Sequence, residues 1–358
     1  MLEVYNQFPA LYQGLLPEIM NLRIPQETKA NCSHCTMVHE QSAVGCLQKH
    51  QFRADTKCCT YHPRLPNYLV GALLNDERPS LAEGRLRMRA KIDNRTGVTP
   101  WWIGPSVLER HLYEQVRGAF GKTARLRCPF YEEVQGNCTV WAYRESVCST
   151  WYCKYDAGKD GLQFWTTLKG YMGHVENHLA RFAMMTIDSE YVLDDHAMAF
   201  YLRQDLSKED LDGVGPDASS YARLWRHYEG RQEDFYRECA GIVQALSPAE
   251  VRQILGLDGD IKAADTKRRH ETILMGKLPV KLCFNPNATV RWLENGEVAL
   301  GAYSEYDALA LPGESYRMLQ AFDGVSSTEE TRQKIRTQFQ TDFSDDILLT
   351  LYRYRILE

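Results

Sequence analysis

The hydrophobic pattern divides the chain into stretches of different period. Over 161–185, Leu168, Tyr171, Met172, Val175, Leu179 and Phe182 recur every three or four positions, which predicts one long helix with a continuous apolar stripe. Shorter helices are expected over 106–120, where Ser106 and Glu109 can form a capping box, over 221–246 and over 248–255. Residues 68–74 make a short apolar element. Over 85–92 the period becomes two, with Arg85, Arg87, Arg89 and Lys91 alternating with Leu86, Met88, Ala90 and Ile92; this predicts a half-buried strand with a cationic outer face. Residues 32–59 are polar and follow neither period. Residues 207–220, with Gly213, Gly215 and Pro216, read as a loop, and the charged stretch 258–277 reads as a linker.

Beyond 280 the pattern changes again. Asn295-Gly296 between two strand-like runs is a hairpin signal, and helices are expected over 313–322, over 328–339 after a Ser327–Glu330 capping box, and over 344–354. The expected class is α+β. A loop-rich cysteine domain over 1–160 is followed by a helical region packing on it over 161–257, a linker over 258–279 and a winged-helix-like module over 280–358.

Composition narrows the function classes. With 358 residues, 44% hydrophobic and 25% charged, the chain is globular, with room for two or three domains, rather than disordered or fibrous. Its apolar runs fall short of the roughly 18 residues that span a bilayer, and residues 1–21 lack the pattern of a signal peptide, so a cytoplasmic location is expected. In that reducing setting the 11 cysteines read as metal ligands rather than disulfides. Nine of them precede residue 154, whereas the isolated Cys239 and Cys283 read as ordinary thiols.

The densest group is Cys128, Cys138, Cys148 and Cys153, four within 26 residues and interleaved with Phe130, Tyr131, Trp141, Tyr143, Trp151 and Tyr152. Four thiolates in aromatic surroundings suit zinc or an iron–sulfur cluster. The residues resemble the YkgJ-type cysteine-cluster family, regarded as zinc- or iron-chelating. Cys128-Pro-Phe-Tyr, Gly136-Asn-Cys138, Val140-Trp141, Arg144, Cys148 and Cys153 follow its second half, with Glu145 in place of a proline and Ser149 in place of an arginine. Its compact first half, Cys-x-x-Cys-x-x-Cys-Cys, corresponds to Cys32-Ser-His-Cys35 and the pair Cys58-Cys59, separated here by 22 residues that include Cys46.

The resemblance covers about 30–160. It implies that Cys32, Cys35, Cys58, Cys59, Cys128, Cys138, Cys148 and Cys153 hold metal, as a 4Fe–4S cluster with zinc as the alternative. Cys46, His34, His39 and His62 are secondary candidates. Two quartets are the simplest partition, and Cys58 and Cys59, pointing apart in an extended backbone, can serve different centres; the spacing does not assign the quartets. The metal acts either in chemistry or as a structural support for a loop-rich domain. Flagellin lysine methylases share a related cluster and give an enzymatic precedent, although no pocket for their methyl donor is visible here.

Charge adds to this picture. Residues 53–127 carry 14 Lys or Arg against seven acids in a chain of net charge −5, and such cations would stabilise a centre of about −2. His174 and His178 fall on one helix face and Asp194-Asp195-His196 forms a small polar cluster, but neither has the context of a known site. P-loop, dinucleotide-binding, nucleophile-elbow and radical-SAM signatures are missing, and no catalytic residue is assigned.

Residues 280–358 resemble the PqqD-like winged-helix domain that recognises precursor peptides. The resemblance rests on Val298 to Leu300, Leu309 to Gly313, Asp323-Gly324 before Ser327 to Glu330, and Phe343 to Leu351. With eight basic and 12 acidic residues the module is a poor nucleic-acid binder, and peptide recognition is the expected role. The combined expectation is an iron–sulfur or zinc protein that modifies, or assists in modifying, a peptide or protein. The competing expectation is a non-catalytic metal-binding or metal-delivery protein.

Overall fold

The computed structural model describes residues 1–30, 32, 35–38, 51–116, 118–191 and 218–358. Helices dominate, joined by small antiparallel sheets. At the N-terminus β1 (Leu2–Glu3) pairs with β2 (Arg23–Ile24) around α1 (Leu11–Leu15) and α2 (Pro17–Met20), the latter started by Pro17 at its first turn. Next come β3 (Leu65–Pro66), α3 (Asn67–Asn75), α4 (Ala82–Asp93) and β4 (Trp102–Ile103), which pairs with β3. Then follow α5 (Val107–Gln115), the hairpin of β5 (Tyr131–Glu132) and β6 (Asn137–Cys138), α6 (Ser146–Thr150) and α7 (Gly158–Ile187). Three further helices are α8 (Ala218–Trp225), α9 (Gln232–Gln244) and α10 (Pro248–Met275).

The main core gathers around α3, which is buried from Asn67 to Leu74. Its polar first residue is satisfied there: the Asn67 amide donates to the carbonyls of Pro100 and Ala180, at 3.0 and 2.9 Å, and its oxygen accepts from Tyr68 N. Gly71 lets α9 approach, because a Cβ at this position would lie 1.8 Å from the Tyr236 carbonyl oxygen. The apolar stripe expected for the long helix is present in α7, with Leu168, Met172, Val175 and Leu179 fully buried, and α10 packs along it.

Two readings of the pattern are corrected. Residues 85–92 lie in helix α4, not in a strand. Gly84, Met88, Lys91 and Ile92 form its buried face at helical spacing, while Leu86 is 62% exposed. The alternation is carried by Arg, Leu, Met, Ala and Lys, all strong helix formers, and that propensity outweighs a period two shared by chance. The stretch read as a linker is also helical: α10 continues to Met275, bending at Gly256 (φ +62°), with Val251, Leu255, Gly259, Thr266, His270 and Ile273 turned inward. Its charged outer face hid this narrow buried stripe. The reading of 207–220 as a loop falls mostly outside the described residues, as does Asp194-Asp195-His196.

The C-terminal residues form a second core. β7 (Thr289–Trp292) pairs with β8 (Glu297–Gly301) across Asn295-Gly296, and β9 (Leu309–Pro312), not foreseen as a strand, adds to the far edge of β8. The helices α11 (Gly313–Leu319), α12 (Thr328–Phe339) and α13 (Asp345–Arg353) close over Val298, Leu300, Leu319, Phe322, Leu348 and Leu351. This module meets the rest through polar contacts and through the Tyr306 ring, which lies against Phe52 and Trp151. The Tyr354 hydroxyl donates to Tyr155 O at 3.1 Å, Arg355 pairs with Asp160 at 3.2 Å, and the buried Asp307 accepts from Tyr303 Oη and from Tyr155 N. Among the described residues no helix is long and apolar enough to cross a membrane.

Candidate metal centre

The cysteines sit at turns and short elements, where backbone N–H groups are free to point at sulfur. The backbone N–H groups of Met37, Phe130 and Val140 favour the thiolates of Cys35, Cys128 and Cys138 against the effect of burial, while Val38 N donates to Cys35 O at 3.1 Å. The same local device, a donor two residues ahead, thus appears in three turns distant in sequence. Such donors favour the thiolate over the thiol, which is the form a metal needs.

Longer bonds gather the turns. Cys128 N donates to Cys59 O at 2.8 Å, and Lys57 Nζ donates to the carbonyls of Cys32 and Gly136, both at 2.8 Å. Arg144 Nη1 donates to Cys148 O at 3.1 Å while its guanidinium lies 3.4 Å from the Trp141 ring centre. Glu145 is buried and caps α6: its carboxylate accepts from Val147 N at 2.6 Å and from Cys148 N at 2.9 Å, which orients the turn carrying Cys148. The Thr36 hydroxyl, in the Cys35 turn, donates to Lys29 O at 3.3 Å and lies beside Cys153.

These contacts bring all eight expected ligands into one region. Each is a free thiol. Burial pushes Cys128 and Cys153 up to about 12 and Cys148 well above the usual thiol range, while Lys57, Arg144, Lys91 and Lys154 pull individual members back down. A thiol so buried either keeps its proton or gives it up to a cation bound in its place, so metal affinity here is linked to proton release. Among the described residues, no three His, Cys, Asp or Glu side chains are arranged to hold a metal ion. Thiols are the donor type that a soft metal takes.

The remaining candidates are placed as follows. Cys46, His34 and His39 lie outside the described residues. His62 turns Nε2 to the carbonyls of Leu126 and Arg127, at 3.1 and 3.0 Å, and Nδ1 stands 3.4 Å from Glu109 Oε2, so both ring nitrogens face protein acceptors. His174 and His178 stack at 4.1 Å, and His174 Nε2 lies 3.1 Å from Leu255 O, which ties α7 to α10. Cys239 is fully buried in the main core, as an ordinary thiol would be. Part of the basic excess over 53–127 is paired: Arg53, Arg78, Arg87 and Arg89 lie against Asp55, Asp76, Glu83 and Glu233. The cations nearest the thiols include Arg144 and Lys154, beyond that window.

Other features were not visible as site elements in the sequence. Phe52, Phe120, Trp151 and Tyr306 close a ring of three edge-on contacts and one tilted one, with centres 5.2 to 6.4 Å apart, beside Cys35, Cys58 and Cys153. Gly121, at φ +71°, leaves the space that the Phe52 ring fills. Tyr306 comes from the C-terminal module, more than 150 residues away in sequence, and no local signal could have pointed to it. Next to Cys59, a cavity of about 290 Å³ is lined by Tyr61, His62, Arg64, Glu109 and Tyr113, and both tyrosines are within electrostatic reach of Cys148. No family model matches the chain, and no curated protein or solved structure shows significant similarity to it.

Proposed function

We propose that this chain is a metal-binding cysteine-cluster protein of a reducing, cytoplasmic setting, holding iron and sulfide on its eight gathered cysteines and acting on, or assisting modification of, a peptide or protein bound through its C-terminal module. The observation that carries the metal reading is the convergence of eight free thiols with backbone N–H groups aimed at three of them. Donors beside the sulfurs of a metal thiolate centre orient it and tune its potential. Zinc is the alternative occupant, since tetrathiolate sites suit it equally and a structural role needs no more. The peptide reading is supported by the three-stranded sheet, whose edge strands β7 and β9 could each accept an added strand, and by the module's acidic charge.

Anaerobic purification followed by iron, sulfide and zinc analysis and visible absorption tests the reading. Iron with matching sulfide and a brown protein is the expected result. A colourless protein with stoichiometric zinc would replace iron with the alternative, and a metal-free protein that takes up neither metal on reconstitution would remove the function proposed here.

A further inference from the structure

Resting on that metal reading, we propose that the eight cysteines form two adjoining centres, one of Cys32, Cys35, Cys58 and Cys153 and the other of Cys59, Cys128, Cys138 and Cys148, with the chain crossing between them at the Cys58–Cys59 peptide. Packing separates the two. Cys35, Cys58 and Cys153 pack against Met37 and Phe52 in a small cluster of their own, whereas Cys59, Cys128 and Cys138 belong to the main core. The 2.8 Å bond from Cys128 N to Cys59 O ties the second pair, and in the first group Thr36 of the Cys35 turn lies beside Cys153.

The electrostatic neighbours follow the same division for Cys32, Cys35, Cys128, Cys148 and Cys153, whereas those of Cys58 and Cys138 cross it. Cys32 senses Cys58 and Cys35, and Cys153 senses Cys35 and Cys58; Cys128 senses Cys138, and Cys148 senses Cys128 and Cys138. The groups touch at a seam, where Cys58 lies against Cys59 and Cys138 reaches Cys32 and Cys58. Each quartet has the four thiolates that a tetrahedral zinc or a cubane cluster takes. Each also draws on both halves of the sequence, Cys153 joining the first and Cys59 the second, so neither half is a site alone. The surroundings differ as well. The first group carries the exposed Cys32, the Lys57 ammonium and the aromatic ring closed by Tyr306, while the second lies in the core beside Glu145 and Lys91.

Metal content of the full chain tests the division. Cys35→Ser or Cys153→Ser, and the pair together, should lose half of the bound metal. Cys128→Ser or Cys148→Ser should lose the other half, and Cys35→Ser with Cys148→Ser should lose all of it. A single replacement that empties the chain, or a Cys148→Ser and Cys153→Ser pair that loses only half, would overturn the assignment. A second measurement needs neither metal nor variants. Metal-free wild-type chain is treated with diamide, which takes two electrons and two protons from each thiol pair, and the disulfides are mapped. Pairs within groups, such as Cys35 with Cys153 and Cys128 with Cys148, are expected. A majority of cross-group pairs such as Cys35 with Cys148 would overturn the division even if the chain binds no metal, and a metal-free protein with within-group pairs would remove the metal reading alone.

Discussion

The C-terminal module and the cysteine region are built by different means from one chain. In the module the instructions are local. Ser327 and Glu330 cap α12 reciprocally, Ser344 caps α13, and the β7–β8 register places Val298 and Leu300 in the core. In the cysteine region the strands are two residues long, and the bonds that shape it span tens of positions: Lys57 to Gly136, Cys59 to Cys128, Arg144 to Gln7. Regular structure in the module satisfies its own backbone. The cysteine turns are instead held by side chains and, on the reading proposed above, by metal, so the two regions should respond differently to the same perturbation.

Metal removal should produce the largest difference. Structural thiolate sites contribute on the order of 10 kcal/mol to the folding of small domains. Stripping the metal with a chelator under reducing conditions is expected to cost the amides of 35–38, 57–61, 128–140 and 148–153 most of their hydrogen-exchange protection, while those of β7–β9 keep theirs. Equal losses in both regions would mean that they are one cooperative unit.

Smaller, but still on the cysteine side, is the effect of Glu27. Its carboxylate accepts from Asp156 N at 2.6 Å and Trp165 Nε1 at 2.7 Å, pinning the N-terminal segment beside the Cys153 turn. Burial outweighs these bonds and raises its pKa from 4.5 to about 7. Because the folded value lies above the unfolded one, the contribution to stability is complete below about pH 4.5, falls as pH rises to about 7 and is constant beyond. The fall is at most about 3 kcal/mol at 1.36 kcal/mol per unit. Glu27→Gln should flatten the difference between pH 5 and pH 7.5 in denaturant unfolding followed by tryptophan fluorescence. An unchanged slope would show that Glu27 is already ionised throughout.

The same contrast explains what the sequence disclosed. The capping boxes at Ser106, Ser247 and Ser327 all form, and of these the first and third were read directly, because each is a four-residue statement. The α7 stripe and the Asn295-Gly296 hairpin were legible for the same reason. β9 was missed since Leu309-Ala-Leu-Pro has no polar alternation, and its partner β8 supplies the reason it is extended. Spacing and resemblance propose eight cysteines as ligands but do not sort them. Sorting depends on which turn lies against which, and Thr36, Glu145 and Tyr306 are fixed only by that packing. Lys57 could be counted as a cation, yet its bonds to Cys32 O and Gly136 O, made from a left-handed backbone at φ +50°, belong to the tertiary fold.

The smallest effect belongs to the module. Ser327 Oγ accepts from Glu330 N at 3.2 Å, and Glu330 returns the bond to Ser327 N at 2.8 Å, closing the N-terminus of α12. Ser327→Ala removes one half of this box, and loss of such a cap costs about 1 kcal/mol. The damage should remain local, since α12 is anchored by the buried Thr331 and by Ile335 in the module's own core. Faster exchange of amides in the first turn of α12 is therefore expected, with metal content and the protection of 128–153 at wild-type levels. If metal were lost as well, the cap would be holding the module against the cysteine region through the Tyr303–Asp307 and Tyr354 contacts, and the local character assigned to the module would be wrong.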